Sequence, residues 1–197
     1  MDIFERTEAQ HDYPAMVILE RAMTLADLGR FKEAQKDVER ALEIEPESWD
    51  AWMELGRIKI ELGDWAGAIK PLRRAMEIDG PNVEVTVDLA AAYLHQGFVD
   101  EAERVLIQGE ALEQGHPGVA YYRAAVAASR GETASALAFL QTALASGHDG
   151  IRRLLEVDRF FDVLRDQPEL ADLKGEAKPE GTLRRFVPRG DRKGQKS

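Results

Sequence analysis

The chain has 197 residues, is 44% hydrophobic and 31% charged, lacks cysteine and carries a net charge of −10. Those figures exclude disulfides and thiolate metal sites, and no apolar run approaches the ~20 residues that a membrane-spanning helix needs. The charge is uneven: from Lys174 onward eight Lys/Arg stand against three acids, giving +5 and leaving −15 on the first 173 residues. Phosphate contacts need a basic face, so a nucleic-acid-binding body is not expected.

Residues 1–14 are polar, end in Tyr13-Pro14 and read as a lead-in, with Pro14 suited to starting a helix. The opening residues Met1 to Glu5 are acidic and lack a basic segment followed by an apolar one. No secretory signal is therefore read, and a cytoplasmic location is expected. From Ala15 the apolar residues fall at helical spacing, with Ile18, Ala22 and Leu25 before Gly29, then Ala34, Val38, Ala41 and Leu42 after it. That pattern predicts helix, turn, helix.

It recurs three times. Gly29, Gly63, Gly97 and Gly131 are each 34 residues apart, each preceded at seven residues by Ala22, Gly56, Ala90 or Ala124. Each is also followed at five residues by Ala34, Ala68, Ala102 or Ala136, and at twelve by Ala41, Ala75, Gly109 or Ala143. A fixed period of this length marks stacked repeats, here 15–48, 49–82, 83–116 and 117–148. In the second unit Ser48 and Asp64 are suited to cap its two helices, and in the third Asp100 is read as the cap of the second helix. Pro71 falls inside a predicted helix, where it removes one backbone hydrogen bond and favours a kink. Small residues at unit positions 8 and 20 let the paired helices approach closely.

The units resemble tetratricopeptide repeats. Trp52, Leu55, Gly56, Gly63, Ala68, Leu72 and Ala75 match that family's pattern in the second unit, and Leu89, Ala90, Tyr93, Gly97, Ala102 and Leu106 match it in the third. The chain departs from the pattern where Arg21 and Arg123 take unit position 7 and Lys59 takes position 11; only Pro46 supplies the terminal proline. The resemblance implies an all-α, right-handed superhelical solenoid of antiparallel helix pairs. The apolar residues Ile151, Leu154, Leu155, Phe160, Phe161 and Leu164 then make 149–173 the expected helical cap over the last unit's uncovered face. Residues 174–197, rich in Gly, Lys and Arg, read as a basic and mostly disordered tail.

No catalytic constellation is found. His11, His95, His116 and His148 have no second His or paired carboxylates at ligand spacing, and the turns Gly115 to Gly118 and Gly147 to Gly150 lack a phosphate-loop Lys-Ser/Thr. No metal, cofactor or enzymatic activity is expected. The informative surface is the concave one, which in this fold is lined by the first helix of each unit. With positions 4, 7, 8 and 11 turned to the core, the helical period places positions 2, 5, 9, 12 and 13 opposite. The expected groove residues are Met16, Leu19, Met23, Asp50, Met53, Arg57, Ile60, Glu84, Val87, Leu94, His95 and Tyr121. Their apolar members form an expected exposed track flanked by Asp50, Glu54, Glu84 and Asp88. The competing reading is that residues 1–14 cover Met16, Leu19 and Met23 and that the track is partly internal packing.

Methionines adapt to varied apolar partners and carboxylates select basic ones. The expectation is thus a non-enzymatic scaffold, adaptor or assembly factor that takes a protein segment or amphipathic helix carrying apolar and basic residues. The basic clamp that some family members close on the C-terminal carboxylate of heat-shock chaperones is not matched, because Leu19, Met23, Glu54, Glu84 and Asp88 stand at those positions. The alternative is a self-associating structural protein whose tail, through Arg184, Arg185, Phe186 and Arg189, docks in its own or a neighbour's groove, giving a homo-oligomer.

Overall fold

The computed structural model describes residues 14–145 and 149–175, and within them the ordered elements are helical. Eight helices form four pairs: α1 (Ala15–Asp27) with α2 (Phe31–Ile44), α3 (Trp49–Glu61) with α4 (Trp65–Asp79), α5 (Val83–His95) with α6 (Val99–Leu112), and α7 (Pro117–Ser129) with α8 (Thr133–Ala145). After them come α9 (Asp149–Val157), a 3₁₀ segment (Arg159–Leu164) and α10 (Pro168–Gly175). The array is an all-α helical-repeat solenoid.

The turn within each pair is made by one of the periodic glycines. Gly29, Gly63, Gly97 and Gly131 all have φ between 75° and 79°, the left-handed region that a Cβ disfavours. Ser48 accepts from the Ala51 N–H and Asp64 from the Gly67 N–H, as capping requires. The third unit differs from expectation. Phe98, not Asp100, is the N-cap of α6, without a side-chain bond, and Asp100 lies in the first turn, where it pairs with Arg130 at 2.7 Å. A carboxylate in the first turn still meets the positive end of the helix dipole. The helix α4 runs through Pro71 unbroken, with the ring buried.

The two arginines at position 7 are accommodated by matched changes at position 23 of the same unit. Arg21 forms a two-pronged pair with the buried Asp37, at 2.7 and 2.6 Å. Arg123 lies 4.3 Å from the centroid of the Phe139 ring and 3.8 Å from Glu110. Where position 7 is leucine, at Leu55 and Leu89, position 23 is apolar, at Pro71 and Val105.

Close approach within the second unit centres on Gly56 and Leu72. A Cβ built at Gly56 would lie 2.5 Å from the Leu72 Cγ and Cδ2. Position 8 therefore meets position 24 before it meets the fully buried Ala68 at position 20. We expect Gly56→Ala to lower stability by about 1–3 kcal/mol through overpacking, offset in part by alanine's helix propensity. Thermal unfolding checks this, and an unchanged or higher melting temperature would contradict it.

Candidate functional site

The inner face is lined by α1, α3, α5 and α7, and the structure rotates its exposed stripe relative to the expectation. Of the predicted apolar track, Met16 is exposed at 65% and Met23 is half-buried. Leu19, Met53, Ile60, Val87, Leu94 and Tyr121 are all buried, Val87 at 1% and Tyr121 at 0%. The exposed apolar track is thus corrected to internal packing. Successive first helices touch directly, α1 with α3, α3 with α5 and α5 with α7. Positions 5 and 12 fall toward those seams, which remove their apolar side chains from water.

What stays accessible follows positions 2, 6, 9 and 13, which lie within about 60° of one another on a helix of 3.6 residues per turn. In the first three units these are Met16, Glu20, Met23 and Asp27, then Asp50, Glu54, Arg57 and Glu61, then Glu84, Asp88, Ala91 and His95. Glu54 and Ala91 are buried; the other ten are exposed or half-buried. Seven carboxylates thus stand against one guanidinium. The expected groove omits Glu20, because it does not assign position 6 to the stripe. A search at the correct angle recovers it from sequence.

Arg57 decides how that charge is distributed. Its guanidinium lies 2.5 Å from Glu84 and 3.0 Å from Asp88, bridging α3 to α5. Burial works against the charge on Arg57, but the two carboxylates outweigh it and raise its pKa. Asp88 is pushed above the ordinary carboxylate range by burial, although Arg57 pulls the other way. Glu84 and Asp88 are therefore not the unengaged flank that the sequence suggests. Glu20, Asp27 and Asp50 form no ion pair among the described residues, so the exposed negative charge is concentrated on the first two units.

In the fourth unit the stripe is closed except at Ser129, which is exposed. Gly118, Tyr122 and Ala125 are buried beside Tyr121, and the 3₁₀ segment packs on α7. The Tyr121 hydroxyl donates to Asp158 Oδ2 at 2.8 Å, and Asp158 Oδ1 accepts from the Phe160 N–H. Phe161, 1% exposed, packs edge-on against Tyr121 with centroids 5.2 Å apart. Burial and the neighbouring Asp158 carboxylate raise the Tyr121 pKa, keeping the phenol a neutral donor. Phe160 reaches back to His95 at 5.1 Å, and His95 stacks on Trp65 at 3.7 Å. The C-terminal segment thus closes one end of the inner face as well as covering α8, which α9 and α10 contact.

Arg184, Arg185, Phe186 and Arg189 lie outside the described residues, as do His11 and His148. Among the described residues, no group of three or more His, Asp or Glu could hold a metal ion. No helix among them is long and apolar enough to cross a membrane.

Comparisons with known proteins agree with this architecture. Two profiles described as tetratricopeptide repeat match residues 19–83 and 60–128, together more than half of the chain. Human tetratricopeptide repeat protein 34 is 30% identical over 145 residues, covering 71% of this chain and 25% of its own length. The peroxisomal targeting signal receptor of Komagataella phaffii is 26% identical over 117 residues, covering 59% of this chain and 19% of its own length. The chain thus spans a quarter or less of these curated relatives. The crystal structure of a thermophilic TPR protein of Thermus thermophilus superposes with a TM-score of 0.67 at 23% identity, covering 81% of this chain and 87% of that one. With the 34-residue glycine register, the helix pairs and both profile matches in agreement, the chain belongs to the tetratricopeptide repeat family.

Proposed function

We propose that the protein is a non-enzymatic binding scaffold whose inner face receives a basic protein segment, either extended or an amphipathic helix. Proteins of this family generally mediate protein–protein interaction, and one relative is by name a receptor. The observation that carries the reading is the exposed stripe of the first two units, on which Glu20, Asp27 and Asp50 are exposed along with Met16 and the half-buried Met23. Carboxylates steer and select Lys/Arg, while the methionines supply adaptable apolar contact. The apolar share of the ligand is smaller than the sequence suggests, because positions 5 and 12 are occupied by packing. The non-enzymatic part of the proposal is supported by a sequence without histidines or paired carboxylates at ligand spacing and without a phosphate-binding loop.

The test is charge reversal. A fluorescein-labelled peptide with the sequence of Thr182 to Arg189 serves as a basic, apolar probe. Converting Glu20, Asp27 and Asp50 together to Lys should weaken its binding at least tenfold with an unchanged melting temperature. Undiminished affinity would end the proposal.

A second reading has its own support: the segment Asp158 to Leu164 already occupies the inner face of the fourth unit, and the basic tail continues from the same end of the chain. Under it, the tail docks in its own or a neighbour's acidic stripe. Deleting residues 176–197 should then lower the number of copies per particle read from light scattering or strengthen binding of the same probe. No change in either would discard it.

A further inference from the structure

A second surface lies on the exposed side of α4. There an open cleft of about 710 Å³ runs beside the helix. Phe98, which lines it, is 50% exposed and held edge-on against Tyr93 with centroids 6.3 Å apart. Trp52 also lines it, and its indole N–H donates to the Pro46 carbonyl at 2.8 Å and so fixes the ring. Ile69 adds apolar surface to the lining, and Lys70, Arg73 and Arg74 supply charge. The cleft extends along α4 from Ala66 to Glu77, about 16 Å at 1.5 Å per residue.

The charges decide what fits. Arg74 is engaged by Glu47 at 2.6 Å and by Glu77 at 3.2 Å. Lys70 and Arg73 are exposed, share one helix face at i, i+3, and form no ion pair among the described residues. A purely apolar occupant would desolvate both cations without compensation. A basic one would meet repulsion. A long polyanion would face the −15 of residues 1–173 outside the cleft, whereas a short acidic segment meets mainly its local positive field.

We propose that this cleft binds an acidic protein segment of about five extended residues. Apolar side chains at its two ends contact Phe98 and Trp52, and carboxylates between them pair with Lys70 and Arg73. The site is separate from the inner face and opposite to it in sign, so one scaffold can hold a basic and an acidic partner at once.

A fluorescein-labelled peptide Ser-Gly-Leu-Glu-Asp-Glu-Phe-Gly-Ser, titrated with the full chain, tests this by fluorescence anisotropy. The expected result is saturable binding that falls at least tenfold in Lys70→Glu/Arg73→Glu and several-fold in Phe98→Ala. Lys70 and Arg73 are exposed, so thermal unfolding of the double variant should match the parent, and Phe98→Ala, which loses the contact with Tyr93, is compared at a temperature where circular dichroism shows it folded. Asp50→Lys, on the inner face, should leave binding intact, which separates failure here from failure of the inner-face proposal. Absence of saturable binding, or binding that survives the double charge reversal, would overturn the proposal. So would equal binding of a peptide with Lys in place of its acids. Tighter, equally charge-sensitive binding of an oligothymidylate would replace the peptide with a nucleic acid. A dimer of the chain that dissociates on the double reversal would make a second copy the occupant.

Discussion

Phe161→Ala is expected to lower stability by about 3–5 kcal/mol, the range for emptying an aromatic side chain from a well-packed site. The ring is 1% exposed and packs against Tyr121, whose hydroxyl is in turn held by Asp158 three residues upstream. Truncating Phe161 leaves a cavity against α7, weakens the grip on the 3₁₀ segment and exposes the buried inner face of the fourth unit. Each unit of a repeat array contacts only its neighbours, so the loss should be local. Hydrogen exchange at α7 and α8 should accelerate more than at α1 and α2, and the unfolding transition should broaden toward its low-temperature side. Uniform acceleration along the array, or an unchanged transition, would show that the segment does not hold the fourth unit.

Removing the guanidinium in Arg57→Met should cost about 2–3 kcal/mol at neutral pH. This lies at or below the low end for breaking a buried ion pair, because Arg57 and Asp88 keep 22% and 19% of their side-chain surface in water. The pH dependence is the sharper part. Asp88 is raised above its ordinary range even with Arg57 beside it, and without Arg57 it rises further. A carboxyl raised in the folded state contributes stability below its unfolded pKa, and that contribution is lost as pH rises through the folded value. The variant's deficit should therefore be largest at neutral pH and shrink on acidification toward the carboxylate range. Adding Asp88→Asn should recover part of it. Denaturant unfolding at several pH values reads this directly; a deficit that is flat or grows on acidification would contradict the assignment.

How far these features can be read from sequence differs by the range of the physics involved. The turn glycines, the caps at Ser48 and Asp64 and the small residues at positions 8, 20 and 27 answer to local backbone geometry and close helix packing, and a single sequence displays both. The helical period puts the inner stripe in the right register but roughly 40° from its true centre, taking 100° per residue. Whether Leu19, Met53, Val87 and Tyr121 face solvent depends on how closely successive first helices stack, and one helix's period does not encode that spacing. Arg57 is on the expected groove, yet its pairing with Glu84 and Asp88 lies across 27 and 31 residues. Searching for opposite charges between position 9 of one unit and positions 2 and 6 of the next finds it. The contact of Tyr121 with Asp158, 37 residues away, has no such period, because the C-terminal segment lies outside the repeat.

The central claim is that the acidic stripe of the first two units is the binding surface. Backbone amide shifts of the isotopically labelled chain, followed while the Thr182 to Arg189 peptide is titrated in, test it most directly. Saturating shifts clustered on α1 and α3 around Glu20, Asp27 and Asp50 are expected, with affinity falling steeply as salt is added. Shifts confined to the outer helices, or saturable binding indifferent to salt, would contradict it.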